Sequence, residues 1–375
     1  MHTRVPWKSV SKDLTKRQPS IVMKKTSNVI ELARPAIREL TPYSAANYAE
    51  GLVRLNANET PWPAPGVQDS TLNQYPPERP VELTAKLADY YGVESNEVLV
   101  TRGSSEAIDL LIRGFCEPGK DAIVISPPTF GMYRVYADIQ GARVHEIPLR
   151  AADGYALDTD EITRNWPEDG KLLFICSPNN PTGQAFDTEQ LKLLCGLLHG
   201  RALIVVDAAY AEFNEDDGSI DVLNENDNVV VLRTLSKAFG LAGARCGALL
   251  GPEDVVSMLS CVMPPYAFST PCQEAVMACL TTDAKQTVQE RCALLRAERE
   301  RVAAGLEQFA GIEQVYPSDA NFLMVRATDP QRVQQAAEEG GVLIRNFGWQ
   351  IPGCLRITIG TPEQNDKLLK SLETL

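Results

Sequence analysis

The sequence predicts an α/β fold: a large domain with a mainly parallel sheet between helices, joined to a smaller α+β domain built from the C-terminal region and an N-terminal segment. Three observations carry this. Six short apolar runs rich in Val, Ile and Leu alternate with segments of helical periodicity, the pattern of strands buried on both faces. Glycine, proline and polar residues cluster directly after those runs, where ligands bind in such sheets. From about residue 271 the pattern changes to one long amphipathic stretch followed by shorter alternating elements, as in a separate α+β unit.

In chain order, the basic stretch Arg4, Lys8, Lys12, Lys16, Arg17, Lys24 and Lys25 has Asp13 as its single acidic residue. It lacks the apolar core of a secretory signal. It is expected to be a disordered arm, or sequence ahead of a start at Met23, and residues 1–28 are set apart as an extension. Residues 29–74 are expected to pack on the small domain, 75–270 to form the large domain and 271–375 the small one. Apolar spacing from Asn28 to Leu40 predicts an amphipathic helix, broken or kinked at Pro35. Val81 to Tyr91 predicts a helix stopped by Gly92, and Met132 to Ile139 another ending near Gly141. The strands are placed at Val98–Thr101, Ala122–Ile125, Arg143–Pro148, Leu172–Cys176, Ala202–Asp207, Asn228–Leu232 and Gly247–Gly251. A helix is expected over Leu191–Leu198, a long one from about Gln286 to Phe309, and another over Val333–Glu339 with Gly340-Gly341 as its stop. Strands are expected at Asn321–Val325, Val342–Arg345 and Leu355–Ile359, then a terminal helix capped by Thr361.

Composition narrows the function. A formal net charge of -13 and a sequence pI of about 4.9 argue against nucleic acid or an anionic membrane as the main partner. An anionic substrate would need local arginines. Nine scattered cysteines without a C-x-x-C pair predict reduced thiols in a cytoplasmic protein. Three histidines and no H-E-x-x-H pattern predict no metal site. No apolar run reaches the ~18 residues of a membrane span.

The chemistry-bearing residues follow the strands. Lys237, in Thr234-Leu235-Ser236-Lys237-Ala238, comes just after a β-branched run. Read alone, it is either an exposed loop lysine or a partly buried amine whose lowered pKa suits attack on a carbonyl. Asp207 ends a valine-rich strand and needs a cation or donors, which a structural ion pair would also supply. Tyr210 follows it, as core or as part of the same cleft. Gly103-Ser104-Ser105 opens a helix and is either an ordinary cap or a phosphate cradle. Asn179-Asn180-Pro181-Thr182-Gly183 is a turn by composition. Ser236 and Arg245 flank Lys237 and could serve a phosphate. There is no G-x-x-x-x-G-K-[ST] loop and no G-x-G-x-x-G after a strand.

Asn180, Asp207, Tyr210, Ser236, Lys237 and Arg245, in this order and each close after a strand, resemble the fold type I (aspartate aminotransferase-like) pyridoxal-phosphate aminotransferases. Within these, the sequence is most similar to the histidinol-phosphate aminotransferases. The resemblance is carried by Leu55-Asn56-Ala57-Asn58-Glu59, Ser177 to Gly183, Thr234 to Ala238, Ala242-Gly243-Ala244-Arg245-Cys246-Gly247 and Cys354-Leu355-Arg356-Ile357-Thr358-Ile359-Gly360, and spans about Leu32 to the C-terminus. It implies pyridoxal 5′-phosphate as cofactor, with Lys237 as covalent tether and then proton shuttle, Asp207 on the pyridine nitrogen, and Asn180 and Tyr210 on the ring oxygen. Lys237, Asp207 and Tyr210 would be the catalytic set. By the same resemblance Phe130 stacks on the ring, where many relatives carry tyrosine. Ser104, Ser236, Arg245 and the backbone near Gly103 and Ser105 hold the phosphate, and Tyr75 reaches the phosphate of the neighbouring subunit in a homodimer. Arg356 would bind the carboxylate of glutamate or 2-oxoglutarate, although a strand arginine can equally face solvent at an edge. Arg345 would join it on the phosphate of histidinol phosphate, with Tyr43 and Asn58 at the substrate pocket.

The implied reaction is transfer of the amino group of L-histidinol phosphate to 2-oxoglutarate, giving imidazole-acetol phosphate and glutamate, in histidine biosynthesis. Its rivals on the same scaffold are an aromatic or broad-range aminotransferase and a decarboxylase of a phosphorylated amino acid. A DNA-binding regulator of the same superfamily would need more than the ~30 residues that precede the first helix. One departure stands out: relatives often read Asp-Glu-Ala-Tyr where this chain reads Asp207-Ala208-Ala209-Tyr210, which changes the polarity behind the ring.

Overall fold

The structure is a computed structural model that describes residues 28–43, 46, 52–67 and 70–373. Residues 1–27, and with them the expected basic extension, lie outside the described residues. The helices are α1 (Pro35–Arg38), α2 (Val81–Tyr91), α3 (Ser104–Phe115), α4 (Met132–Gln140), α5 (Thr159–Arg164), α6 (Thr188–Leu197), α7 (Ser219–Glu225), α8 (Glu253–Val262), α9 (Thr270–Cys279), α10 (Thr282–Leu306), α11 (Pro330–Glu339) and α12 (Pro362–Leu372). The strands are β1 (Val98–Thr101), β2 (Ala122–Ile125), β3 (Arg143–Glu146), β4 (Gly170–Cys176), β5 (Leu203–Asp207), β6 (Val229–Thr234), β7 (Gly247–Leu250), β8 (Ile312–Val315), β9 (Phe322–Ala327), β10 (Arg345–Asn346) and β11 (Cys354–Thr358).

The first seven strands form one sheet in the order β1-β7-β6-β5-β4-β2-β3. The pairs from β3 across to β6 are parallel, and β7 runs antiparallel to both neighbours, so β7 alone points the other way. Successive side chains along a strand point to opposite faces. Val229 and Val231 accordingly join one core cluster, while Val230 and Leu232 join the cluster on the other face. The same split holds on β5, with Ile204 and Val206 against Leu203 and Val205. Burial on both faces explains why these strands are continuous apolar runs in the sequence.

This topology gathers one edge of the sheet. All six parallel strands end there, at Thr101, Ile125, Glu146, Cys176, Asp207 and Thr234, and antiparallel β7 begins there at Gly247. The second sheet, β10-β11-β9-β8, is antiparallel. Leu323, Val325, Leu355 and Ile357 face α10, α11 and α12 in a third apolar cluster. Phe322, Met324 and Cys354, one residue out of phase, join a cluster of the large sheet instead. Arg356 shares the parity of Cys354, so it faces the large sheet.

Three expectations need correction. The segment after Asn28 is a 3-10 turn (Asn28–Leu32) and the single turn α1, divided just before Pro35, rather than a helix. It begins on the large domain, not on the small one: Val29 and Ala33 are buried in a large-sheet cluster. The Arg34 guanidinium donates to Glu117 at 2.9 Å and to the Arg113 carbonyl at 2.9 Å, which ties it to the end of α3. Val342–Ile344 is not a strand; pairing starts at Arg345, because β10 is a two-residue edge opposite Arg356 and Leu355. Helices α5, α7, α8 and α9 and strand β8 were not expected. The proposed boundary at residue 271 falls just inside α9.

Gly247 opens β7 between the ends of its two neighbours, opposite Thr101 of β1 and Thr234 of β6. A Cβ on it would lie 2.7 Å from the Arg233 carbonyl oxygen and 2.9 Å from the Gly103 backbone. Neither backbone can yield without moving a strand. Gly247→Ala is expected to lower the thermal midpoint, through strain of about 1–3 kcal/mol. Gly243→Ala, with open space around it, is expected to leave the midpoint nearly unchanged. Differential scanning fluorimetry of both variants checks this.

Candidate active site

Lys237 is placed by the turn that ends β6. Leu235 is fully buried, and its N–H donates to the Cys246 carbonyl at 3.0 Å, which joins the turn to the start of β7. The Thr234 hydroxyl accepts from the Ser236 N–H at 3.2 Å and donates to the Ser236 hydroxyl at 3.0 Å. The Lys237 amine then projects into a cleft, 5.4 Å from the centre of the Tyr210 ring. Its pKa is lowered by loss of hydration first, then by the Arg356 charge; Asp207 opposes this and Arg245 adds to it. The side chain reaches open space in the cleft, yet protein surrounds enough of it to disfavour the ammonium form.

Asp207 ends β5 at 2% exposure. Its Oδ2 accepts from the Tyr133 hydroxyl at 2.8 Å, and its Oδ1 has no partner within the chain. Burial pushes this carboxyl up to about 6, against the hydrogen bond from Tyr133, the Ala209 N–H and the Lys237 charge. Tyr210, on the turn after β5, is 7% exposed and packs edge-on against Phe322 of β9 at 5.1 Å. Burial raises its phenol pKa as well.

The loops after β2 and β4 are locked to each other. Asn179 donates to the Pro128 carbonyl at 2.9 Å and to Thr182 at 2.8 Å, and accepts from the Thr129 hydroxyl at 3.1 Å. That frame fixes Asn180, whose Oδ1 accepts from the Arg356 guanidinium at 2.6 Å. It also fixes Phe130, which meets Tyr133 edge-on at 5.6 Å.

The remaining wall suits an anion. Gly103, at φ 82°, precedes α3 without a side-chain cap, and Ser104 and Ser105 form its first turn. Free N–H groups and the helix dipole attract negative charge at such a terminus. Arg245 lies across it, donating to the Ser236 hydroxyl at 3.3 Å and to the Arg102 carbonyl at 3.2 Å. A Cβ on Gly103 would meet the Arg245 guanidinium at 2.7 Å and push it aside, and the positive φ itself favours glycine. Together Ser104, Ser105, Phe130, Asn180, Asp207, Tyr210, Ser236, Lys237 and Arg245 line one open cleft with about 530 Å³ of empty space.

At its mouth Arg356 and Arg345 are directly opposed on β11 and β10. Both guanidiniums lie over the Phe347 ring, at 4.9 and 5.9 Å. Burial, and secondarily the Arg345 charge, lower the Arg356 pKa, with Tyr210 opposing. Arg345 is exposed. Tyr43 and Asn58 are exposed and do not line the cleft. Tyr75 is half exposed and stacks on Tyr266 at 4.8 Å. Its N–H donates to Glu59 at 2.7 Å, and Glu59 in turn pairs with Arg54 at 2.6 Å.

Sequence reasoning missed Tyr133 and Phe347, whose aromatic side chains read as core. The signal for Tyr133 was its place three residues after Phe130, one helical turn on. Ala208 is fully buried in the apolar cluster, so the departure from the acidic residue of relatives leaves that position apolar. No group of histidine, cysteine or acidic side chains able to hold a metal occurs among the described residues.

A helix terminus and Arg245 suited to an anion, an open cleft and an unpartnered buried carboxylate oxygen around one lysine, at the strand ends of this sheet, fit a transferase of the aspartate aminotransferase-like fold type I class. The comparisons agree with that geometry. Residues 53–372 match the family model for aminotransferase class I and II. The sequence is 42% identical over 354 residues to the histidinol-phosphate aminotransferase of Xanthomonas campestris pv. campestris strain B100, covering 93% of this chain and 98% of that protein. It is 40% identical over 356 residues to that of Xylella fastidiosa, covering 93% and 98%. The structure of histidinol-phosphate aminotransferase from Sinorhizobium meliloti in complex with pyridoxal-5′-phosphate superposes with a TM-score of 0.72, at 22% identity, over 85% of this chain and 89% of that one. This chain belongs to the class I and II aminotransferase family.

The raised Asp207 pKa has a stability consequence. Between the ordinary carboxyl value near 4 and about 6, the folded chain keeps a proton that the unfolded chain has released. Folding stability therefore falls as pH rises through that window, and the ionised Asp207 costs on the order of 3 kcal/mol above it. In cofactor-free protein, Asp207→Asn is expected to raise the thermal midpoint at pH 7–8 by several degrees and to lose that advantage near pH 4. Thermal melts of both proteins across this range check it.

Proposed function

We propose that this aminotransferase binds pyridoxal 5′-phosphate and moves the amino group of L-histidinol phosphate to 2-oxoglutarate, giving imidazole-acetol phosphate and glutamate. The observation that carries the substrate reading is the opposed pair Arg345 and Arg356 at the mouth of a cleft that already holds a separate phosphate cradle. The names of the curated relatives agree with it.

The residues fit the cofactor. Ser104, Ser236, Arg245 and the first N–H groups of α3 would take its phosphate, Phe130 the face of its ring, and Asn180 and Tyr210 its ring oxygen. Asp207 Oδ1, which lacks a partner in the chain, would hold a proton on the ring nitrogen. Bound pyridoxal phosphate supplies an aldehyde that takes up the amine and a protonated ring that withdraws electrons. Lys237 would tether it. Its lowered pKa leaves a larger neutral fraction at Nζ, able to take the proton from the substrate Cα and return it on the cofactor side. Arg356, released from Asn180, would engage the carboxylate of the amino acid or keto acid, and Arg345 would join it on the phosphate of histidinol phosphate.

The working form is a homodimer. Leu52, Val53, Leu55 and Trp62 are each more than two-thirds exposed, which a solitary chain rarely sustains over so short a stretch. This strip leads to Tyr75, which would reach the phosphate of the partner's cofactor. The large domain is placed at residues 75–270 and the small one at 271–375, and the enzyme is assigned to the cytoplasm; no described helix is long and apolar enough to cross a membrane.

The decisive assay compares histidinol phosphate, histidinol, phenylalanine and aspartate as amino donors. Histidinol phosphate is expected to be strongly preferred; equal rates with histidinol would sink the substrate assignment. Lys237→Ala is expected to abolish turnover together with the visible absorption of the isolated protein. Arg345→Ala is expected to cut kcat/KM for histidinol phosphate about 10–100-fold while sparing glutamate, whereas Arg356→Ala loses both by similar factors. Steady-state kinetics on both half-reactions separate the two arginines.

A further inference from the structure

We infer that Tyr133 is a positioning residue for the cofactor: its hydroxyl occupies one oxygen of Asp207 and so presents the other to the ring nitrogen. This rests on the pyridoxal-phosphate reading above and assigns a role to a side chain that the mechanism does not otherwise use.

Tyr133 is fully buried in the first turn of α4. Its ring stacks on Phe174 of β4 at 4.8 Å and meets Phe130 edge-on at 5.6 Å. A phenylalanine would satisfy that packing equally, so the hydroxyl needs its own explanation: a buried O–H costs free energy unless it is bonded. Its partner is Asp207 Oδ2 at 2.8 Å, itself buried. The bond acts on the carboxylate in two ways. It fixes the rotation of the carboxylate plane, so that Oδ1 is the oxygen left without a partner. It also supplies a donor to a charge that the apolar strand end leaves short of hydration, and a hydrogen bond to an ionised group is stronger than one between neutral groups. Among the effects that oppose burial at Asp207, the Tyr133 bond is the largest.

Placement makes this more than a buried tyrosine finding an acceptor. Phe130 lies two residues before α4, and its carbonyl accepts from the Tyr133 N–H at 3.4 Å. The side chain assigned to the ring face and the one that orients the acceptor for the ring edge are thus three residues apart and joined by that bond.

The test uses full-length dimeric enzyme, wild type and Tyr133→Phe, stripped of cofactor. The dissociation constants of pyridoxal phosphate and of its 1-deaza analogue, in which C–H replaces the ring nitrogen, are measured by quenching of intrinsic fluorescence. Tyr133→Phe is expected to weaken pyridoxal phosphate about 10–100-fold and to leave the deaza analogue unchanged or tighter, because that analogue has no nitrogen for Asp207 to serve. In an Asp207→Asn background the same change is expected to have no effect on either ligand. Because the nitrogen-to-carbon ratio is read within one variant, a general loss of stability cancels. Equal weakening of both ligands would mean that the tyrosine only packs, and unchanged affinity for pyridoxal phosphate would mean that the hydroxyl is idle; either overturns the proposal. Failure of the wild-type protein to bind pyridoxal phosphate at all would instead overturn the cofactor reading.

Discussion

Asp207 closes a strand whose other four residues are apolar and fully buried, and a charge in that position must be answered from somewhere. Asp207 is 2% exposed, so little water can answer it. The chain answers half of the demand with Tyr133 and leaves the other half open. The loops after β2 and β4 are tied together through Asn179, and β7 turns back against the parallel strands to bring Arg245 to the same edge. A buried group left under-satisfied is costly unless a ligand completes it.

The same edge resolves an apparent conflict between the whole chain and its site. The protein carries a formal charge of -13, yet Lys237 and Arg245 line the cleft with Asp207 as its one carboxylate, and Arg356 and Arg345 stand at its mouth. Burial first, and the neighbouring cations second, lower the pKa values of Lys237 and Arg356. Asn180 supplies an acceptor to Arg356, and the Phe347 ring lies beneath both mouth arginines. Such neutral partners hold a guanidinium in place without cancelling its charge. Anions therefore find a local field opposite in sign to that of the protein as a whole.

How much of this could be read from sequence depends on what each residue answers to. The strands of the large sheet were legible because burial on both faces demands continuous β-branched runs, and their ends placed Asn180, Asp207, Ser236 and Lys237 correctly relative to the sheet. Helices α5 and α7 are short, with few buried residues, so their periodicity carries little signal. Val342–Ile344 has strand composition, but it leads to a two-residue edge where few hydrogen bonds reward extension. The docking of Arg34 on α3 and the hydroxyl of Tyr133 on Asp207 are tertiary facts: the partners lie 83 and 74 residues apart, and no local pattern records them.

The small sheet shows how far one local rule reaches. Alternation along β11 sends Leu355 and Ile357 into the core beneath α10–α12 and leaves Cys354 and Arg356 on the opposite face. That face packs on the large sheet through Phe322 and Met324, so the parity that buries Leu355 also brings Arg356 within 2.6 Å of Asn180. A one-residue slip in the pairing of β11 with β9 would expose an apolar pair and turn the arginine into the core. The position of Arg356, the charge proposed to meet the substrate, is thus held by the hydrophobic register of the strand that carries it, and the site inherits the stability of that core.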